Sequence, residues 1–74
     1  MNANEMLIRR ASEIDVGTVF VRRGVVYRVD YVLDMIFEDL GCFVKIVATN
    51  LATEKQAALD LVPAGELLSV ARAA

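Results

Sequence analysis

The sequence predicts one small, mainly β domain, and four observations support this prediction. With 74 residues the chain is shorter than a typical domain of roughly 100 to 150 residues, so it has room for a single core. Several stretches alternate apolar and polar residues with the period of two that is typical of strands. Glycine, asparagine or proline separates these stretches, as turns require. A composition of 57% hydrophobic and 24% charged residues is that of a folded chain.

Five strands follow from this pattern, over residues 18–22, 25–33, 42–49, 56–62 and 67–70. Arg23-Gly24 is predicted as a hairpin turn and residues 50–55 as a polar turn. Within the second strand the alternation places Tyr27, Val29, Tyr31 and Leu33 on one face. The predicted core comprises Tyr27, Val29, Val44, Ile46, Leu59 and Leu61, with Val19, Val21 and Cys42 also facing inward and Phe20 outward.

The remaining segments complete the predicted domain. Residues 34–41 interrupt the alternation and are predicted to form a loop or one helical turn. Residues 1–12 are predicted to be a flexible N-terminal arm, because they are too short and too polar at first to form a stable element alone. The barrel then covers residues 13–71, and residues 72–74 form a tail. Five short antiparallel strands of this length must cover their edges, which favours a small SH3-like barrel.

The composition also narrows the setting and the class of function. Cys42 is the only cysteine, so no internal disulfide can form, and a reducing cytoplasmic setting is expected. No apolar run approaches the roughly 20 residues that span a bilayer. The net charge of −2 argues against nonspecific binding of nucleic acid. Five arginines against three acids leave +2 through Arg28, whereas three bases against seven acids leave −4 after it. This asymmetry favours oriented docking on a partner.

No enzyme motif, metal site or cofactor is predicted. The chain has no histidine, and its one cysteine is expected in the core, so no side chain suited to titrate near neutral pH is available. Asp34, Glu38 and Asp39 lack the spacing of a calcium loop, and a solvated acidic loop is favoured. The four glycines occur singly and form no phosphate-binding loop. The sequence therefore favours binding over catalysis.

Three segments are candidates for contact with a partner, and each has an ordinary structural alternative. The first is the arm segment Met6, Leu7, Ile8, Arg9 and Arg10, which could instead pack on the barrel. The second is Met35, Ile36 and Phe37 between acids, which resembles an interface anchor but could plug an open end of the barrel. The third is a basic patch of Arg22, Arg23 and Arg28, which could bind carboxylate or phosphate or serve only solubility.

Part of the chain resembles the KOW-type, SH3-like first domain of elongation factor P. The resemblance covers residues 16 to 62 and rests on Val16-Gly17-Thr18-Val19-Phe20, on Gly24-Val25-Val26-Tyr27-Arg28-Val29, on residues 41–47 and on Asn50-Leu51-Ala52-Thr53. That family carries a modified lysine at the tip of the loop between the second and third strands, where this chain has residues 34–40 without a lysine. The resemblance therefore implies the fold without translation-factor activity.

The whole chain also resembles small bacteriophage proteins that bind host RNA polymerase. Related KOW-type barrels in transcription elongation factors likewise dock on polymerase. These resemblances imply a regulator that is monomeric when free and acts in the bacterial cytoplasm on initiation, termination or antitermination. Two alternatives stay open. One is a barrel for single-stranded nucleic acid that uses Arg22, Arg23 and Arg28 with Tyr27 or Tyr31. The other is a homo-oligomer formed through outward Val26, Val32, Phe43 and Val47.

Overall fold

The computed structural model describes residues 6–39 and 41–71, leaving aside the side chains of residues 34–38 and 60. This part of the chain is mainly β, in agreement with the sequence prediction. A single 3-10 turn, Ala11–Glu13, accompanies six strands. The strands are β1 Met6–Arg10, β2 Val19–Arg22, β3 Val25–Glu38, β4 Gly41–Asn50, β5 Lys55–Pro63 and β6 Leu67–Ala71.

All the strand pairs are antiparallel, and the strands lie side by side in the order β1-β6-β2-β3-β4-β5. Strands β2 to β5 form a meander, and β6 returns to pair with β2. Within the described residues the sheet therefore has two ends, at β1 and at β5. The prediction of five strands is too low by one, because β1 adds to the outer side of β6.

Strand β1 corrects the prediction of a flexible arm over residues 1–12 for the part that the structure describes, which begins at Met6. Met6 to Arg10 pair in an unbroken register with Ala71 to Leu67, and the 3-10 turn follows directly. Pairing with a strand some sixty residues away supplies the backbone hydrogen bonds that the isolated segment could not make. Residues 1–5 and the predicted tail at 72–74 lie outside the described residues.

The predicted loop over residues 34–41 is also corrected, because strand pairing continues through most of it. In the backbone Met35 lies opposite Val44, and Glu38 lies opposite Gly41. β3 and β4 therefore form one long hairpin, and the domain is 42 Å in its longest dimension. Backbone pairing satisfies the N–H and C=O groups of this segment whatever its side chains do.

Register shifts in β3 change which of its side chains face the core. Val29 lies opposite Ala48, but Tyr31 lies opposite Val47, so β3 contains one extra residue at this point. Such a β-bulge moves the following side chains to the other face of the sheet. Val32 consequently packs against the core. Tyr31 and Leu33, which regular alternation placed inward, are exposed.

A bulge in β5 corrects the predicted inward position of Leu61. Ile46 lies opposite Leu59, whereas Val44 lies opposite Val62, which leaves one extra residue in β5. Leu61 adopts a left-handed backbone conformation with φ of 53° and is 48% exposed. Val62, three residues after Leu59, takes the core position and is fully buried.

One apolar core lies against the inner side of the sheet, and every strand from β2 to β6 contributes to it. Val29, Val44 and Ile46 are buried as predicted, and Tyr27 and Leu59 pack against the cluster. Phe20 is fully buried, which reverses the predicted orientation of β2. Cys42, predicted inward, is exposed. The remaining buried members of the cluster are Ala11, Ile14, Ala48, Val62, Leu68 and Val70.

The 3-10 turn that follows β1 packs against this core. Ala11 is fully buried, and its backbone N–H donates to the carbonyl of Glu66 at 2.8 Å. Ile14 is buried just beyond the turn. The turn therefore covers the core next to β4 while it holds β1 in place beside β6. None of the described residues belongs to a helix long and apolar enough to cross a membrane.

Candidate protein-docking face

The strand register creates two adjacent rows of side chains that cross four strands. In the inner row Leu7 lies opposite Val70, Val70 opposite Phe20, and Phe20 opposite Tyr27. The next row lies on the other side of the sheet, because neighbouring residues in a strand point to opposite faces. That outer row consists of Ile8, Ser69, Val21 and Val26, which are cross-strand neighbours in this order.

Large apolar side chains on this outer side are exposed. Ile8 is 55% exposed and Val26 is 40% exposed. Met6 and Leu67 lie on the same face, each two residues along its strand from the outer row, and both are exposed. We name this surface the outer patch; its residues are Met6, Ile8, Val21, Val26, Leu67 and Ser69. Val21 and Ser69 are half-buried between the exposed members. Several exposed large apolar side chains on one face are typical of an interaction surface.

Two arginines lie on the same face as the outer patch. Arg10 is opposite Leu67, and Arg28 is opposite Val19. Arg28 is half exposed, and its Nη2 is 3.8 Å from Oδ1 of Asp30. A polar rim around an apolar centre is the usual arrangement of a protein interface.

Hydrogen bonds from two other side chains favour the ionised form of Asp30, next to Arg28. Thr49 donates its hydroxyl to Oδ2 of Asp30 at 2.6 Å, and the amide of Gln56 donates to the same oxygen at 3.0 Å. These two hydrogen bonds, and the nearby charge of Arg28, lower the pKa of Asp30 from its ordinary value. The carboxylate therefore links β3, β4 and β5 on this side of the sheet.

An apolar cleft of about 460 Å³ opens beside the inner row. Leu7, Val19 and Val70 contribute to its walls, and Val16, which is mostly exposed, lies at its mouth. The cleft forms because β2 and β6 pair only through Phe20 and Val21, which leaves the start of β2 and the end of β6 apart. It is large enough to receive an apolar side chain of a partner.

The outer edge of β1 is partly occupied by side chains of the same chain. The hydrogen bond from Ala11 to Glu66 fixes the alternation of the ladder between β1 and β6. By that alternation Leu7 and Arg9 point their backbone groups toward β6, whereas Met6, Ile8 and Arg10 point theirs away. Arg9 Nη1 donates to the carbonyl of Ile8 at 2.9 Å, and the N–H of Arg10 donates to Oε1 of Glu13 at 3.0 Å.

The first predicted contact segment is thus divided between two faces. Met6, Ile8 and Arg10 lie on the outer face, and Leu7 and Arg9 lie on the inner side. The segment packs on the domain as the structural alternative proposed, but most of it remains exposed.

The predicted basic patch is not assembled on one face. Arg22 lies on the inner side, opposite Val25, and Arg28 lies on the outer side. Arg22 donates to Glu66 through Nε at 2.7 Å and through Nη2 at 3.3 Å, a two-point contact between β2 and the turn before β6. Arg23 is exposed in the hairpin turn with φ of 51°.

The contact between Arg22 and Glu66 shifts the pKa of both groups. The hydrogen bond from Arg22 lowers the pKa of Glu66 below its ordinary value, although partial burial opposes the shift. The same hydrogen bond raises the pKa of Arg22. Both groups are therefore charged near neutral pH, and Arg22 is engaged within the fold rather than presented to a partner.

The second predicted contact segment, Met35, Ile36 and Phe37, belongs to β3 in the backbone, but its side chains lie outside the described residues. The residues proposed for self-association are separated by the fold. Val26 belongs to the outer patch, whereas Val32 packs against the core and Val47 is buried. Phe43 is half-buried. Tyr31, named for stacking on bases, is exposed.

Sequence reasoning missed Val21, Leu67 and Ser69 as surface residues. Val21 was predicted inward together with Val19, but the polar residues Thr18 and Arg22 lie on the face of Phe20, which is the inner face. Leu67 follows a turn, and its position in the sequence predicts only the start of a strand. The burial of Phe20, the bulkiest residue of β2, is the signal that would have oriented the strand correctly.

Comparison with known proteins gave no match to any family model, curated protein or solved structure. Over the part of the chain with described side chains, no group of three or more cysteine and acidic side chains is placed to hold a metal ion. The outer patch, the cleft and the edge of β1 are the candidate contact surfaces among the described residues.

Proposed function

We propose that this chain is a non-enzymatic protein-binding domain that docks through the outer patch on bacterial RNA polymerase and thereby regulates transcription. The observation that carries the docking role is the row Ile8–Ser69–Val21–Val26, which crosses four strands and has exposed apolar side chains at Ile8 and Val26 and half-buried side chains between them. The choice of polymerase as partner rests on the resemblance of the chain to phage regulators and to KOW-type barrels.

Burial of the outer patch supplies the favourable free energy of docking. A fully desolvated large apolar side chain contributes about 1.5 to 3 kcal/mol. Ile8 and Leu67, at 55% and 66% exposure, retain much of this contribution for a partner. The patch is built on paired strands, so its backbone is already ordered before binding. A domain that occupies a polymerase surface in this way acts by excluding or repositioning another component.

We also propose that strands β2 to β6 form the five strands of an SH3-like barrel, with β1 added at one side. The long, bulged β3 supports this proposal, since bulges bend a strand so that it can belong to two halves of a curled sheet. Residues of β2 to β6 that share one core also support it.

The test is a titration of purified bacterial RNA polymerase with the full chain and with Val26→Glu. Val26 is on the outer patch and outside the core cluster, so the carboxylate should be tolerated in the free domain. In the docked state it would be buried without a partner, at a cost of about 3 kcal/mol or more, which is over a hundredfold in affinity. Leu61→Glu is the matched control, because Leu61 is similarly exposed but lies on β5.

Thermal unfolding of each variant accompanies the titration, and promoter run-off and terminator read-through report the effect on transcription. The proposal predicts binding by the full chain and by Leu61→Glu and loss of binding by Val26→Glu. Absence of polymerase binding by the unmodified chain would exclude this partner. Sedimentation analysis of the chain alone, and with single-stranded DNA, would then separate self-association from nucleic-acid binding.

A further inference from the structure

The two ends of the sheet differ in how well they are protected against another strand. β5 carries a bulge at Leu61 and ends at Pro63, which has no N–H to donate. Both features are common protections of an edge strand. β1 pairs with β6 in regular register and contains neither proline nor glycine. Of the two ends, β1 is therefore the one suited to extend the sheet.

Two backbone groups at the outer edge of β1 form hydrogen bonds with exposed side chains of the same chain. The guanidinium of Arg9 donates a hydrogen bond to the carbonyl of Ile8, and the carboxylate of Glu13 accepts one from the N–H of Arg10. Both contacts are exposed, so water can replace them at little cost. These side chains cover part of the edge in the free domain, and an incoming strand can displace them.

The positive charge of β1 indicates what kind of strand could bind in place of the Arg9 and Glu13 side chains. Arg9 and Arg10 are both exposed and lie at one end of the strand. Arg9 shares its face with Leu7, and Ile8 shares its face with Met6 and the outer patch. A complementary strand therefore has acidic residues on the side of Arg9 and apolar residues on the side of Ile8.

We propose that β1 binds an extended, acidic segment of the partner protein as an additional strand of the sheet. This inference rests on the proposed docking function and specifies its geometry. The incoming strand takes the carbonyl and N–H of Ile8, and Arg9 exchanges the carbonyl of Ile8 for a carboxylate of that strand. Backbone hydrogen bonds then provide attachment, while the alternation of acidic and apolar side chains provides specificity.

Ile8→Pro tests the edge without removing the ladder inside the domain. The N–H of Ile8 points away from β6, so proline at this position leaves the hydrogen bonds between β1 and β6 in place. Ile8→Ala is the matched control, because it shortens the side chain and keeps the N–H. The probes are a capped peptide of three Val-Glu repeats and a capped peptide of three Val-Lys repeats.

Fluorescence anisotropy of labelled peptide measures affinity, and amide chemical shifts of the unmodified chain locate the contact. We expect the Val-Glu peptide to shift the amide of Ile8 much more than those of Leu7 and Arg9, and the Val-Lys peptide to bind at least tenfold more weakly, the equivalent of about 1.4 kcal/mol. Ile8→Pro should lose binding by a similar factor and by more than Ile8→Ala, which loses the apolar contact of the side chain but keeps the N–H.

Equal binding of the two peptides, or full binding by Ile8→Pro, would overturn the inference. If Ile8→Pro does not fold, the double variant Arg9→Glu, Arg10→Glu decides instead, since it should reverse the preference toward the Val-Lys peptide. Polymerase titration separates the two proposals. Polymerase binding that Val26→Glu abolishes and Ile8→Pro leaves intact supports the outer patch alone, whereas edge-dependent peptide binding without polymerase binding overturns the choice of partner alone.

Discussion

Phe20 decides which side of β2 faces solvent. It is among the largest fully buried side chains, and its ring stacks on that of Tyr27 with centroids 5.4 Å apart and an angle of 25° between the planes. Such a pair adds about 0.5 to 1.5 kcal/mol to the free energy of burial. In a small domain whose core supplies about 3 to 5 kcal/mol, this contribution is large. With Phe20 fixed inward, Val21 must join the outer patch.

Leu61 is strained by the bulge that protects the edge of β5. Its φ of 53° is a conformation that costs a side chain other than glycine about 1 to 2 kcal/mol. Because its side chain is half exposed, removing it sacrifices little buried surface. We therefore expect Leu61→Gly to reduce the free energy of unfolding by about 1 to 2 kcal/mol less than a Leu→Gly substitution at an exposed position of a regular strand.

Leu67→Gly is the reference for this comparison, because Leu67 is exposed in β6 and is not among the residues with positive φ. Urea unfolding of both variants gives the two changes in free energy. Equal destabilisation by the two substitutions would show that the backbone of Leu61 stores no strain.

Among the strands, those bounded by turn residues could be predicted from the sequence. Arg23-Gly24 separates β2 from β3, and residues 51–54 separate β4 from β5, close to the predicted positions. β1 could not be predicted in this way. No turn residue marks its beginning, and it is a strand because β6 lies beside it, which is information from the far end of the chain.

β-Bulges are a second reason why the sequence did not predict which side chains face the core. Regular alternation correctly places Val29 in the core, but it fails at Tyr31 and Leu61, each of which follows or occupies an inserted residue. A bulge depends on the pairing of two strands and has no local sequence signal in these segments. That residues 6–10 contact a partner stays a prediction, whereas finding the outer patch required the register of four strands.

The contact between Arg22 and Glu66 joins the β2–β3 hairpin to the turn before β6, and it makes stability depend on pH. The hydrogen bond from Arg22 lowers the pKa of Glu66 below its ordinary value of 4.5. A carboxyl group with a lowered folded-state pKa stabilises the fold above its unfolded pKa, and this contribution is lost as pH falls through the folded-state value. We therefore expect the free energy of unfolding to decrease below about pH 4.5.

Glu66→Gln should remove much of this dependence and cost about 1 kcal/mol at pH 7, a value reduced for the partial exposure of the pair. At low pH the variant and the unmodified chain should converge in stability. Asp30, whose pKa is also lowered, should leave some residual slope in the variant. Urea unfolding between acidic and neutral pH measures both curves, and parallel curves would show that Glu66 does not contribute to the acid sensitivity.

Over the whole molecule, positive and negative charges are segregated along the chain. The part through Arg28 carries a net charge of +2, and the remainder carries −4. Arg9, Arg10 and Arg28 lie on β1 and β3 around or beside the outer patch. The segregation gives the domain a preferred orientation as it approaches a charged surface, which accelerates association more than it strengthens the final complex.

Replacing Arg9 and Arg10 together with alanine should weaken attachment to polymerase far more than it weakens the fold. Both side chains are exposed in the free domain, and the hydrogen bond that Arg9 makes is with the carbonyl of its own neighbour, Ile8. On docking, each guanidinium can donate to a carboxylate of the partner, and a hydrogen bond to a charged group contributes about 1.5 to 3 kcal/mol. The double variant should therefore lose more than about tenfold in affinity.

Raising the salt concentration should reproduce part of this loss, because charges at an interface rim are screened over about 8 Å at physiological ionic strength. The loss on adding salt should be smaller in the double variant than in the unmodified chain, since fewer charges remain to be screened. Lys55→Ala, which removes an exposed cation from the start of β5 at the opposite end of the sheet, should change neither affinity nor salt dependence to a similar degree. Affinity of the double variant equal to that of Lys55→Ala would remove both arginines from the docking surface.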